Sequence, residues 1–221
     1  MVRKHYEQEL RELHIDIIRM GSLIEKAIAD SVNAFETNDL AVCNEIVRQD
    51  KDVDDLEKAI ESKCLWLIAR EQPVASDLRK ITTALKMITD MERIGDNAAD
   101  IAELTLRIAE KNMFADSGHI PQMARIAVEM VHDAVSSYVN TDVDLAQKTE
   151  ARDDEVDEYF DLIKQELIDV FRKEGAKSEM DNAVDFLLIA KYLERIADHA
   201  VNICEWVEFS VSGKHKNAQI F

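Results

Sequence analysis

Apolar residues recur every three to four positions through six long stretches of the chain, the period of a helix with one buried face. In one of them Ile81, Leu85 and Ile88 fall on a single stripe. The pattern predicts helices over residues 4–37, 40–71, 75–112, 120–140, 143–174 and 179–211, several of them longer than 30 residues. Asn38-Asp39 interrupts the first stretch, and Asn38 is expected to cap the helix that follows. Gln72-Pro73 ends the second helix, and Pro73 or Ser76 opens the third. The stretch from Asn112 to Pro121, with Gly118 inside it, reads as a linker. Thr141-x-x-Asp144 and Ser178-x-x-Asp181 resemble capping boxes with a short acid, and Gly175 is expected to end the fifth helix.

The six stretches form two copies of one unit. A displacement of 103 residues brings Met20 onto Met123, Asp30 onto Asp133, Asp39 onto Asp142, and Ile60 onto Ile163. It also brings Asp50, Val53 and Asp54 onto Asp153, Val156 and Asp157. After a gap of one residue, Glu92 to Glu103 meets Glu194 to Glu205, and seven of those twelve pairs are identical. Composition alone would give about one. An internal repeat of this length is a duplicated supersecondary unit. The expected architecture is all-α: two tandem three-helix bundles of long antiparallel helices, residues 1–115 and 116–221.

Composition narrows the function. Hydrophobic residues make up 47 % of the chain, enough for a core, and five glycines and two prolines leave few breaks. The net charge of −18 argues against nucleic acid as a partner and against an anionic membrane surface. No stretch has the ~18 uncharged apolar residues of a spanning helix, and the amino-terminal residues lack the apolar core of a signal peptide. Cys43, Cys64 and Cys204 show no paired spacing and read as small core residues of a reducing compartment, so the cytoplasm is the expected location.

The acids are the candidate chemistry. Glu92, Asp96 and Asp100 are spaced i, i+4, i+8 on one helix, and Glu92 falls within the apolar stripe of Ile81, Leu85 and Ile88. Glu194, Asp198 and Asn202 repeat the spacing, with Glu194 in line with Leu187, Ala190 and Ala197. In the second helix of each unit, Asp50 and Asp54 share a face with Ile46, Val47 and Ile68. Their counterparts Asp153 and Asp157 lie with Phe160, Leu167 and Phe171. Carboxylates on core-facing stripes repel one another and need a positive counterpart. Arg93 or Arg195 could supply it, although each points about 100° from its neighbouring glutamate. A metal ion held between two helices is the other solution. A set of carboxylates without paired histidines or thiolates selects hard ions: iron(III), manganese, magnesium or calcium, with zinc less natural. Small Gly95 and Ala197 would let a helix or a ligand approach.

Gln72-Pro73-Val74-Ala75-Ser76-Asp77-Leu78-Arg79, followed by Glu92-Arg93-Ile94-Gly95-Asp96, strongly resembles the PhoU family, and the resemblance covers nearly the whole chain. It implies a cytoplasmic, non-enzymatic accessory protein of the phosphate-uptake ABC transporter. Such proteins negatively regulate the phosphate-starvation response by linking the transporter's ATPase subunit to a sensor histidine kinase. It further implies two three-helix bundles, a homodimer, and iron or zinc clusters at paired E/D-x-x-x-D motifs. Carried over, those motifs are Asp50, Asp54, Glu92, Asp96 and Asp100 in the first half, and Asp153, Asp157, Glu194 and Asp198 in the second. Asn202 stands where a third acid is expected, which would weaken the second site. The loop signature has no counterpart at Lys173 to Asp181.

Two other classes compete. A di-metal oxidase needs E-x-x-H on two helices, and the chain has one such string, Glu129-x-x-His132. His199 lies about 100° from Asp198 and reads as a packed residue. A metal-free adaptor, whose acidic faces dock basic partners, needs nothing more than the charge.

Overall fold

The computed structural model describes residues 2–110, 118–172, 177–215 and 218–219. Helix α1 (Val2–Thr37), α2 (Leu40–Glu71) and α3 (Ala75–Glu110) form the first unit. The second consists of α4 (Ile120–Asn140), α5 (Val143–Glu150), α6 (Asp153–Arg172) and α7 (Lys177–Ser212). A two-residue antiparallel ladder, β1 (Lys214–His215) with β2 (Ala218–Gln219), follows and was not foreseen from the sequence. No described helix is long and apolar enough to cross a membrane.

The expected fifth helix is broken. Its amino-terminal turns form α5, and α6 starts afresh at Asp153 after a turn in which the Arg152 amide donates to the Thr149 carbonyl at 3.0 Å. Asp153, Asp154 and Glu155 crowd the first turn of α6, where the helix dipole favours negative charge. The corresponding run, Gln49-Asp50-Lys51-Asp52, is interrupted by a lysine, and α2 continues through it.

Two caps differ from expectation. Asp39, not Asn38, caps α2 by accepting from the amides of Ala41 and Val42, while Asn38 takes a left-handed conformation with φ 58°. Likewise Asp142 caps α5 by accepting from Leu145, and Thr141 is the left-handed residue that closes α4. In both copies the residue beside the aspartate makes the turn and the aspartate makes the cap. Gln72, with φ 47°, ends α2 as expected. Gly175, most of the expected linker, and the side chains of Ser178 and Asp181 lie outside the described residues.

One hydrophobic cluster runs through both units, with Met20, Ile24, Met91, Met123, Met130 and Ile196 fully buried. Helix α3 packs along α7, and α1 crosses α4. At that crossing Gly21 is needed: a Cβ there would lie 2.7 Å from Val135 Cγ1. Gly21→Val should therefore lower the urea-unfolding free energy by about 2 kcal/mol, overpacking outweighing the gain in helix propensity. An unchanged midpoint would show that the two helices part freely.

The three cysteines are buried and free. Burial pushes the Cys64 thiol up to about 12, so it stays protonated and inert.

Candidate metal centres

Gly95 lets α3 press against α2, because a Cβ at that position would come 3.2 Å from Val53 Cγ1. The acids flanking Val53 and Gly95 are thereby drawn together. Asp54 of α2 and Glu92 and Asp96 of α3 each offer a carboxylate oxygen within 4.8 Å of the others, and all three are half-buried. Among the described residues this is the one such set of three or more ligand-type side chains. Ala197 occupies the place of Gly95 in the second unit and is fully buried.

The electrostatics extend the cluster. Burial, followed by the charges of Asp96, Asp54, Asp100 and Glu103, pushes Asp50 up to about 6. Glu92, Asp96 and Asp100 are also raised, in each case chiefly by burial. Crowded, half-dry carboxylates hold protons because a second negative charge is costly beside the first. A cation relieves the same cost.

Arginine takes part, contrary to the helix-wheel estimate. Arg93 lies 3.4 Å from Glu92 and 3.3 Å from Asp96, since its long side chain folds back along the helix. Lys58 holds Asp54 at 3.2 Å. The charge of Arg195, from the second unit, offsets a small part of the rise at Asp96 and Asp100. Arg93 and Lys58 are 53 % and 63 % exposed, and ion pairs so open to water contribute little.

The second unit gathers the equivalent acids less tightly. Burial, then Asp198, Asp157, Asp154 and Glu194, raises Asp153 to about 6, and burial with Glu194 raises Asp198. Lys191 forms a close ion pair with Glu194. Thr89 stands in its place in the first unit, where the more exposed Arg93 is the cation beside Glu92.

The third position of each stripe serves the contact between the units. Asn202 donates to Asp90 Oδ1 at 3.1 Å, and His199 Nδ1 lies 2.9 Å from the same oxygen. Asp100 accepts from Tyr192. Asp90 is the counterpart of Tyr192, as Asp100 is of Asn202, so the two contacts are one pair seen from opposite sides of the α3–α7 seam. The sequence reading missed Asp90 and Tyr192, although the 102-residue displacement that superposes the stripes superposes these residues too. Asp90→Ala should destabilise the protein by about 2 kcal/mol in urea unfolding, because it strands two part-buried partners. Asn202→Ala should cost about half as much, and equal small effects would refute the seam.

Glu129 and His132 do not act as a pair. Glu129 accepts from Arg152 at 2.7 Å, while His132 lies 3.1 Å from Glu25. His199 is packed, 19 % exposed, against Asp90.

Comparison with known proteins agrees with this layout. The family model described as the PhoU domain matches twice, at residues 17–105 and 120–207. A phosphate-specific transport system accessory protein PhoU homolog of Clostridium acetobutylicum is 39 % identical over 215 residues, spanning 97 % of each chain. The Escherichia coli phosphate-specific transport system accessory protein PhoU is 28 % identical over 209 residues, 95 % of this chain and 86 % of that one. The crystal structure of PhoU from Pseudomonas aeruginosa superposes with a TM-score of 0.89 at 29 % identity, covering 95 % of this chain and all 100 % of that one. The double match and the whole-chain identity assign the sequence: this chain belongs to the PhoU family of phosphate-transport accessory proteins.

Proposed function

We propose that the chain is a cytoplasmic, metal-binding regulatory adaptor of phosphate homeostasis. It restrains phosphate uptake and the starvation response by linking the ATPase subunit of the phosphate ABC transporter to a sensor histidine kinase, and it acts as a homodimer without catalysing a reaction. The names of its relatives support the transport setting. The observation that carries the metal is the convergence of Asp54, Glu92 and Asp96 from two helices. Those three, with Asp50 and Asp100 behind them, would hold a hard ion, iron first and manganese, magnesium or zinc as alternatives. Asp153, Asp157, Glu194 and Asp198 would hold the second. Bound ions supply positive charge that fixes α2 to α3 and α6 to α7, giving two similar rigid faces for membrane-complex components.

One observation favours a metal-free adaptor instead: Arg93, Lys58 and Lys191 already touch the acids. Binding to the purified ATPase subunit separates the readings. Capture lost on chelation and restored by ferrous or manganous ion supports the metal reading. Capture indifferent to chelator but abolished by raised salt supports the alternative.

A further inference from the structure

A cavity of about 210 Å³ opens between α1 and α2. It is lined by Leu23, Val53 and Gly95 and by the carboxylate-bearing Asp30, Asp50 and Asp52. At roughly 30 Å³ per water, it is far larger than a trapped solvent molecule requires. Lys26 also lines it, pairing with Asp30 at 3.4 Å, but its side chain is 62 % exposed.

The duplicated unit shows what fills the matching place. There Arg152 projects between α4 and α6 and is only 25 % exposed. Its Nη2 is 2.7 Å from Glu129, its Nη1 3.8 Å from Asp133 and its Nε 3.8 Å from Glu155, so three nitrogens each face a different acid. Displacement by 103 residues maps Asp133 onto Asp30, Glu155 onto Asp52 and Arg152 onto Gln49. Two of the three acids are thus kept in the first unit, while the arginine is gone and Glu129, its nearest acid, is replaced by Lys26. The space is also enlarged: Met130 is replaced by Ala27 and Ala197 by Gly95, and both smaller residues border the cavity.

The geometry points to a guanidinium-binding pocket in the first unit, filled by an arginine side chain that a partner protein inserts. The planar fork of a guanidinium matches several carboxylates at once, which a compact ammonium does not. A chain of net charge −18 attracts basic partner surfaces, and this pocket would fix where one of them docks. The pocket shares Asp50 with the proposed metal centre, but Asp30, Asp52 and Ala27 lie outside the converging acids Asp54, Glu92 and Asp96, so metal-free protein keeps the carboxylates that would face a guanidinium.

Nα-acetylarginine methylamide, titrated into chelator-treated full-length protein and followed by amide NMR, tests this. Saturable shifts are expected at Val53 and Gly95, with the lysine analogue binding at least about tenfold more weakly. Ala27→Met, which restores the bulk of Met130, and Gln49→Arg, which supplies the guanidinium in cis, should each weaken binding by a similar factor. Free arginine should bind less well than the capped form, since its carboxylate meets three acids. The assignment fails if no local shift develops by about 50 mM. It fails equally if the lysine analogue matches arginine, or if the shifts survive both substitutions. Tighter binding of free arginine would make the amino acid the ligand and overturn the partner assignment. None of these outcomes bears on the metal, so the two readings fail separately.

Discussion

Glu92→Gln combined with Asp96→Asn should empty the proposed first metal centre and leave the proposed second one loaded. Two of the three converging donors belong to α3, and without them Asp54 would meet the ion with only Asp50 and Asp100 as charged help. Altering even the supporting partners of a ligand costs 10–100-fold in metal affinity, so removing two anionic donors should weaken binding by at least about two orders of magnitude. Metal analysis of protein purified without chelator should then show one centre's content where the parent shows two. In the metal-free state the same variant should unfold at a higher urea concentration than the parent, because mutual repulsion around Asp50 is relieved. A double variant with the parent's metal content would refute the ligand assignment.

Metal-free protein should be more stable at pH 5.5 than at pH 8, the reverse of the usual trend for salt-bridged carboxylates. Asp50 and Asp153 rise from the ordinary 3.8 to about 6 on folding. Burial, then Glu208 and Glu205, takes Glu150 from 4.5 to about 7. A group with a raised folded pKa binds protons that the unfolded chain has released, so stability falls as pH climbs from the unfolded value to the folded one. For these groups that window runs from about 4 to about 6, and to about 7 for Glu150. Each group is only half-buried, so solvent screening trims its share to about 1 kcal/mol. Three such groups predict a rise in melting temperature of about 5–10 °C between pH 8 and pH 5.5. Saturating metal should invert the slope, since protons then compete with the ion for the same oxygens. A flat profile in both states would mean that the acids are fully served by their arginine and lysine neighbours.

Much of the fold was legible because period, repeat and breaks agree with one another. The stripe of Ile81 and Ile88 is buried, and the duplication inferred from Glu92–Glu103 and Glu194–Glu205 reappears as α3 lying along α7. The split between α5 and α6 was not read, although three consecutive acids at Asp153 are the signal for a new helix start. A helix wheel also fixes only the direction in which a side chain leaves the backbone. Arg93 has four rotatable bonds beyond its Cα, so it reaches Glu92 and Asp96 from the next face. Asn202 shared the spacing of the acids but turned to Asp90, because the far end of each stripe has passed from the α2–α3 face to the seam between the units. Spacing within one helix cannot carry that distinction; it needs the neighbour.

Anomalous diffraction at the iron edge, on crystals of protein purified without chelator, tests the central claim most directly. A peak within bonding distance of Asp54, Glu92 and Asp96 is the predicted result, with a weaker one beside Asp153 and Asp198. Density free of metal, with Arg93 and Lys58 drawn in to fill the space between those carboxylates, would contradict it.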